Sequence, residues 1–197
     1  ANVGSMNTKG WELAASWRDN IGDLNYSASF NMFDSKSIVG DIEGKRIIGT
    51  TTISQEGTEY NAWYGYQSEG LYQSQEEVDN SATTSANVSP GDVKYVDISG
   101  PDGEPDGLIN ELDRTLLGGS PLPRYQYGGR INLDYKGFDL GMSIQGVGKQ
   151  KAYLSESHVR PLRESWMSAP AILEGNYWSH YNTQIENENA RYPRLSE

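Results

Sequence analysis

The sequence has 197 residues, 16 Lys plus Arg, 27 Asp plus Glu, no Cys, and a formal net charge of -11. That is enough for one ordinary domain and marginal for two; it excludes a disulfide framework or a thiolate metal site and argues against a binder of phosphate backbones, which works by releasing counterions. Apolar residues make up 36%, with 13 Tyr and 22 Gly, so the chain is poor in aliphatics and suits strands and loops better than packed helices. No stretch approaches the ~20 apolar residues of a membrane helix, which excludes that class and leaves a membrane barrel open. Residue 1 is Ala and no signal-peptide pattern follows it, so processing or truncation ahead of it is expected.

In chain order, the first periodic signal is a hairpin. Trp11, Leu13, Ala15 and Trp17 alternate with Glu12, Ala14, Ser16 and Arg18. A turn cluster at Asp19–Asp23 follows. Then Leu24, Tyr26, Ala28, Phe30 and Met32 alternate with Asn25, Ser27, Ser29 and Asn31. Period-2 alternation on both sides of a turn is the mark of paired strands. Ile47–Ser54 reads as a short strand, and Trp63-Tyr64-Gly65-Tyr66 as another. Gln75 to Ser89 is polar and reads as a loop. Pro90 to Pro123 reads as one long turn-rich segment, a length that usually carries function or ligand.

A second hairpin comes late. Tyr125, Tyr127, Gly129, Ile131, Leu133 and Tyr135 share one face, with Gln126, Gly128, Arg130, Asn132 and Asp134 on the other. Lys136-Gly137 turns the chain, and Phe138, Leu140, Met142 and Ile144 then alternate with Asp139, Gly141, Ser143 and Gln145. After Val147 the pattern fades, and no internal repeat shows at a fixed period. Two settings give this alternation: a soluble sandwich with a dry and a wet face, or an outer-membrane barrel with lipid outside and a wet lumen inside. Two details favour the barrel. Aromatics sit toward strand ends (Trp11, Trp17, Tyr125, Tyr127, Tyr135, Phe138), and the polar faces are rich in Gly, Ser and Asn. The fold expected is all-β, an antiparallel transmembrane β-barrel segment with long irregular extracellular loops.

The sharpest chemical motif runs from Asp102 to Asp113. Counting Asp102 as position 1 puts oxygen ligands Asp102, Glu104, Asp106, Asn110 and Asp113 at 1, 3, 5, 9 and 12, with Gly107 at 6 and Ile109 as apolar anchor. That is calcium-loop spacing, which curls hard oxygen ligands around one point. Asp97 and Ser99 offer an alternative first ligand pair, with residues 101–105 as an insertion. The bland alternative is a solvated acidic turn. Flanking helices are not evident, and position 12 is Asp where Glu is usual.

Other chemistry is mostly absent. His158 and His180 lack helix-spaced partners, and Gly146-Val147-Gly148-Lys149 lacks a third Gly. No nucleophile elbow, P-loop or zinc-protease motif occurs, and no carboxylate pair is marked out by apolar surroundings, so no enzyme is expected. Trp166, Tyr177, Trp178 and Tyr181 lie in irregular segments. They are candidates for stacking on a sugar, against the alternative of loop anchors.

Thr8–Leu13 with Ser16-Trp17-Arg18, Tyr64–Tyr72, Gly91–Asp97, Tyr135–Leu140 and Ala190–Leu195 together resemble segments of SusC/RagA-type TonB-dependent outer-membrane transporters. Thr8-Lys9-Gly10-Trp11-Glu12-Leu13 with Ser16-Trp17-Arg18 is similar to that family's barrel-hairpin opening. Tyr64 to Tyr72 followed by Glu76-Glu77 resembles its Gly-Tyr segment. Gly91-Asp92-Val93-Lys94-Tyr95-Val96-Asp97, Asp106-Gly107 and Asp113-Arg114-Thr115 resemble its acidic loop. Tyr135-Lys136-Gly137-Phe138-Asp139-Leu140 with Gln145-Gly146-Val147-Gly148 resembles its late hairpin, and Ala190-Arg191-Tyr192-Pro193-Arg194-Leu195 its closing segment. The matches run in family order from residue 4 to 197.

The resemblance implies a late portion of a barrel, residues 1–197, without plug domain or final strands. It implies uptake of oligosaccharides or peptides across a Gram-negative, Bacteroidetes-like outer membrane. A SusD-like surface lipoprotein is the implied partner, and TonB is contacted through an N-terminal part. A possible calcium ion is the one cofactor expected. The rival reading is a soluble secreted β-sandwich that binds carbohydrate around a structural calcium; a glycosidase is the second rival.

Overall fold

The computed structural model describes residues 4–84, 87–154 and 169–195. It divides into two units, Ala1–Trp63 with Gly118–Ala152, and Tyr64–Leu117 with Tyr153–Glu197.

The first unit is built on four long strands: β1 (Met6–Ile21), β2 (Leu24–Val39), β9 (Arg124–Tyr135) and β10 (Phe138–Lys149). They form one antiparallel sheet in the order β1-β2-β9-β10. Both hairpins read from the sequence are present, and the strands of the first extend well past the alternating stretch. Each hairpin closes through two residues. Gly22 has φ 59 and opens the first turn; Lys136 and Gly137 have φ 49 and 85 in the second. Positive φ here matches the right-handed twist of the flanking strands, and it is why glycine stands at both turns. Lys136 Nζ lies 3.4 Å from Asp23, so the two turns share one end of the sheet. At the other end the chain leaves β2 and returns to β9 only after residues 40–123.

The register stacks apolar side chains in rows across one face. Ile21, Leu24, Tyr135 and Phe138 are opposed at the turn end. Next come Asp19, Tyr26, Leu133 and Leu140, then Trp17, Ala28, Ile131 and Met142. Ala15, Phe30, Gly129 and Ile144 follow, and then Leu13, Met32, Tyr127 and Gly146. From Ile21 to Trp11 the band follows eleven residues of β1, or about 25 Å of height for a strand tilted ~45°. That equals the apolar band of an outer-membrane barrel, about 25 Å. The face has no core beneath it. Phe138 is 81% exposed, and Trp11, Leu13, Trp17, Ile21, Leu140, Met142 and Ile144 are also exposed.

The band ends at Asp34, which is buried and held by Arg124. The guanidinium donates from Nε and Nη2 to the two carboxylate oxygens, and the Tyr125 N–H adds a third bond at 3.2 Å. Tyr125 takes φ 55, the left-handed region, which is uncommon for a side chain this bulky. Three short strands complete the unit's sheets: β3 (Ile47–Ile48), β4 (Thr52–Ser54) and the first half of β5 (Ala62–Gly65). So the stretch expected as one strand at 47–54 is a small hairpin.

The second unit is irregular and buries its own residues. Tyr64-Gly65 of β5 pairs with β8 (Thr115–Leu116), and β6 (Ser68–Leu71) pairs with β7 (Val93–Tyr95) across a bulge at Gly70. The segment expected as loop after Gln75 starts with a short helix, α1 (Gln75–Asp79). Ser74 caps it, accepting from the Glu77 N–H at 3.1 Å, and the Glu77 carboxylate accepts from the Gln73 N–H at 2.8 Å. Five residues are too few to show a helical period. A second helix, α2 (Gln184–Glu188), carries a full capping box between Thr183 and Glu186. Among the described residues no helix is long and apolar enough to cross a membrane.

Candidate functional site

The sheet's second face is polar toward the turns and carries Phe33 and Val147 at its far end. Asn20, Asn25, Asp134 and Asp139 are aligned near the turns, followed by Arg18, Ser27, Asn132 and Gly141, then Ser16, Ser29, Arg130 and Ser143. Asn132 Nδ2 donates to Ser27 Oγ at 3.0 Å, and Arg130 Nε donates to Asn132 Oδ1 at 3.1 Å. Two open cavities lie along this face. One, of about 750 Å³, is lined by Asn31, Phe33, Gln126, Arg130, Gln145 and Val147; the other, of about 380 Å³, by Arg18, Asn25, Asn132, Asp134 and Asp139. Small residues keep the surface low, and neutral amides with a few charges give it many donors and acceptors. A face of this kind suits a wet passage for polar solute.

The acidic loop takes a different form from the one its spacing predicts. Residues 100–104 make a turn, exposed from Pro101 on and buried at Gly100, closed by Gly100 N–H to Glu104 O at 2.7 Å and Gly103 N–H to Gly100 O at 3.0 Å. Asp102 and Glu104 are exposed on it. Asp97 takes the leading place, accepting from the Gly107 N–H at 2.7 Å and the Asp106 N–H at 3.4 Å. Asp106 accepts from its own loop's Leu108 N–H at 3.0 Å. Asp113 is 0% exposed and accepts from Ile98 and Ser99 on one oxygen and Asn110 on the other, at 2.8, 3.1 and 2.8 Å. Asn110 returns a bond to the Leu112 N–H at 2.9 Å. Burial pushes the Asp113 carboxyl up, but these three N–H groups and the Asp97 side chain outweigh it and hold it below the ordinary value.

The set Asp102, Glu104, Asp106, Asn110 and Asp113 therefore does not gather at one point. Among the described residues no group of three or more His, Asp or Glu is placed to hold a metal ion. The reason is physical. The insertion at 101–105 loops out, and backbone N–H groups occupy the carboxylates that calcium would need. The apolar anchor does behave as expected: Ile109 is buried, and its N–H bonds to Thr83 O at 3.0 Å.

The four aromatics expected on a sugar are not one platform. Trp166 lies outside the described residues. Trp178 is 4% exposed and is a core anchor, which corrects the expectation. A Cβ on Gly91 would run into its ring, so the indole lies directly on that glycine's backbone. Its Nε1 donates to Gln73 Oε1 at 3.2 Å, and His180 meets its ring edge-on at 4.8 Å between centroids. Tyr177 is half-buried and forms a parallel bridge with Tyr192. Tyr181 is 100% exposed.

Two ion-paired cations, Arg194 and Lys94, organise this unit. Arg194 Nε and Nη2 bond Asp92 at 2.7 and 3.2 Å, and the Arg194 N–H bonds Gly91 O at 2.8 Å. Lys94 Nζ lies 3.0 Å from Glu77 and 3.7 Å from Glu69. Glu77 is held below its ordinary value, first by the Gln73 N–H, and Lys94 is held above its own, first by Glu77. Asp92 and Arg194 stand in separate segments of the sequence, and no local pattern links partners so distant in the chain.

Comparison with known proteins agrees with the wall-like sheet. The chain is 28% identical over 156 residues to TonB-dependent receptor P3 of Formosa agariphila, covering 73% of this chain and 15% of the relative. It is 29% identical over 163 residues to TonB-dependent receptor P26 of the same organism, covering 77% and 16%. The fold is similar to that in the structure of the RagAB peptide transporter, with TM-score 0.55, 20% identity, and coverage of 73% of this chain and 15% of that one. The RagAB peptide importer in its open-open state gives TM-score 0.55 at 17% identity. In sequence and in fold, the chain is similar to SusC/RagA-type TonB-dependent receptors. No family model matches it. The chain spans about 15% of the length of these relatives. They are receptors and transporters by name, not enzymes.

Proposed function

We propose that this chain is part of the wall of an outer-membrane, TonB-dependent nutrient importer. The single observation that carries the reading is the β1-β2-β9-β10 sheet, with an exposed apolar band about 25 Å high on one face and small polar residues on the other. Phe138, Leu140 and Ile144 on this face are exposed, as lipid-facing residues of a barrel are. Two short turns at one end and residues 40–123 at the other match short periplasmic turns and long extracellular loops. On this reading the first unit's polar face lines the passage.

In the complete protein, a plug domain and further strands would close the barrel, since an open sheet edge is not tolerated in lipid. A SusD-like surface lipoprotein would be the partner, and TonB would act through a part outside this chain. The cargo would be a peptide or an oligosaccharide, polar and uncharged enough to move along amide and hydroxyl groups. The test is made on the complete protein. It should fractionate with the outer membrane, need detergent to stay dispersed, and migrate faster on a gel unheated than boiled. A protein that is monodisperse and folded without detergent would sink the reading.

A further inference from the structure

The register sets two lysines against each other. Lys9 of β1 is paired with Lys36 of β2. Both continue the apolar rows: on β1 the face runs Leu13, Trp11, Lys9, and on β2 it runs Met32, Asp34, Lys36. Like charges directly opposed across strands repel, with Cβ atoms about 5 Å apart. Lys36 has a counter-charge in Glu59 at 3.0 Å. Asp34, the nearest acid below, is already held by Arg124. Across the sheet, Thr8 and Ser37 satisfy one another on the opposite face at 2.8 Å. Lys9 and Lys36 thus share one small area in which, among the described residues, Glu59 is the one carboxylate paired to either lysine, and the pair is two residues above Trp11, where the apolar band stops.

Lower on that face lies a groove of about 480 Å³, lined by Ala15, Trp17, Phe30, Gly129, Ile131 and Ile144 among others. Ala15 and Gly129 leave a hollow between bulky neighbours in the middle of the band. Resting on the barrel reading above, we propose that this face holds one phosphorylated lipid of the outer leaflet, its phosphate bridging Lys9 and Lys36 and an acyl tail in the groove. The phosphate explains why opposed lysines are tolerated at that height. The hollow matches a flexible chain better than a flat protein surface, and in the band its surroundings are lipid.

The experiment uses the complete protein in nanodiscs of phosphatidylcholine, with or without phosphorylated lipid A. After extraction into mild detergent, native mass spectrometry counts the lipid A retained. Wild type should keep lipid A over phosphatidylcholine. Lys9→Gln with Lys36→Gln should lower retention roughly 30-fold, and either alone roughly fivefold. Gly129→Leu, which fills the hollow, should lower it with both lysines intact. Equal retention in the double variant would overturn the proposal. So would displacement of lipid A by millimolar inorganic phosphate, which would make the site a phosphate site and not a lipid site. A wild type that fails to enter nanodiscs defeats the barrel reading itself. A wild type that enters and shifts on heating, but keeps no lipid A, defeats only the lipid site.

Discussion

The two units solve the problem of apolar residues in opposite ways. In the first, the apolar side chains of β1, β2, β9 and β10 lie in ordered rows and remain exposed. In the second, secondary structure is sparse, yet Tyr72 is 1% exposed and Val78, Ile109, Leu173 and Trp178 are buried. Regular hydrogen bonding and a dry interior are therefore separable. The sheet takes its regularity from strand pairing and, on the proposed barrel reading, leaves its apolar side to the bilayer. The irregular unit meets water, so it must make its own interior from scattered aromatics and side-chain bonds to backbone. Each should respond to a different insult.

The largest effect expected is from Trp178→Ala. Removing a buried indole costs about 3–5 kcal/mol and should loosen hydrogen exchange around Gln73 and Gly91 while the heat-dependent gel shift persists. If that shift is lost as well, the two units are not energetically separate. The converse is Ile131→Arg, placed mid-band, which should cost about 2–4 kcal/mol of barrel stability, read by denaturant titration in lipid. The same change at Phe138, in the row beside the turns, should cost about 0–1 kcal/mol. Equal losses at both sites would break the membrane-band assignment.

Asp113 tests the second unit alone. Asp113→Ala leaves three backbone N–H groups without an acceptor, a loss of about 3 kcal/mol. Its folded carboxyl lies below the ordinary value of 3.8, so its contribution is complete above that value and disappears as pH falls through the lower folded value. Protection of the Ile98, Ser99 and Asn110 amides should fade in that acid range in wild type and lose this dependence in Asp113→Asn. The smallest effect expected is from calcium. With the loop carboxylates engaged by backbone, millimolar calcium should leave the melting temperature unchanged. A rise of several degrees, lost in Asp106→Ala, would show that the loop regroups around an ion.

The sheet was legible because period 2 is written locally. Leu24, Tyr26, Ala28 and Phe30 announce a face without reference to any other segment. What the period could not show is that β2 pairs with β9, since no local signal names a partner so far along the chain. Nor could it extend β1 to Met6; there Asn7 and Thr8 are strand only because Ile38 and Ser37 pair with them. Aromatic position was half legible. Trp11, Tyr125 and Tyr127 mark one border of the band and Tyr135 and Phe138 the other, but Trp17 shares a row with Ile131 in its middle. Trp178 was misread as a ligand surface because its burial depends on a bare glycine remote in sequence. The acidic loop was half legible: Asp97 leads it with 101–105 as an insertion, one of the two arrangements the spacing allows, but spacing does not say which carboxylates the backbone will engage.

The pairing of Tyr64-Gly65 with Thr115-Leu116 bears on the order in which the chain folds. β2 and β9 must meet although residues 40–123 separate them, and the entropy of closing a loop grows with the logarithm of its length. Pairing at 64–65 and 115–116 pinches most of that length off at its base. What is left for the strands to close is then only the short stretches on either side of the pinch. Were that pairing to form first, it would turn a distant strand encounter into a nearer one.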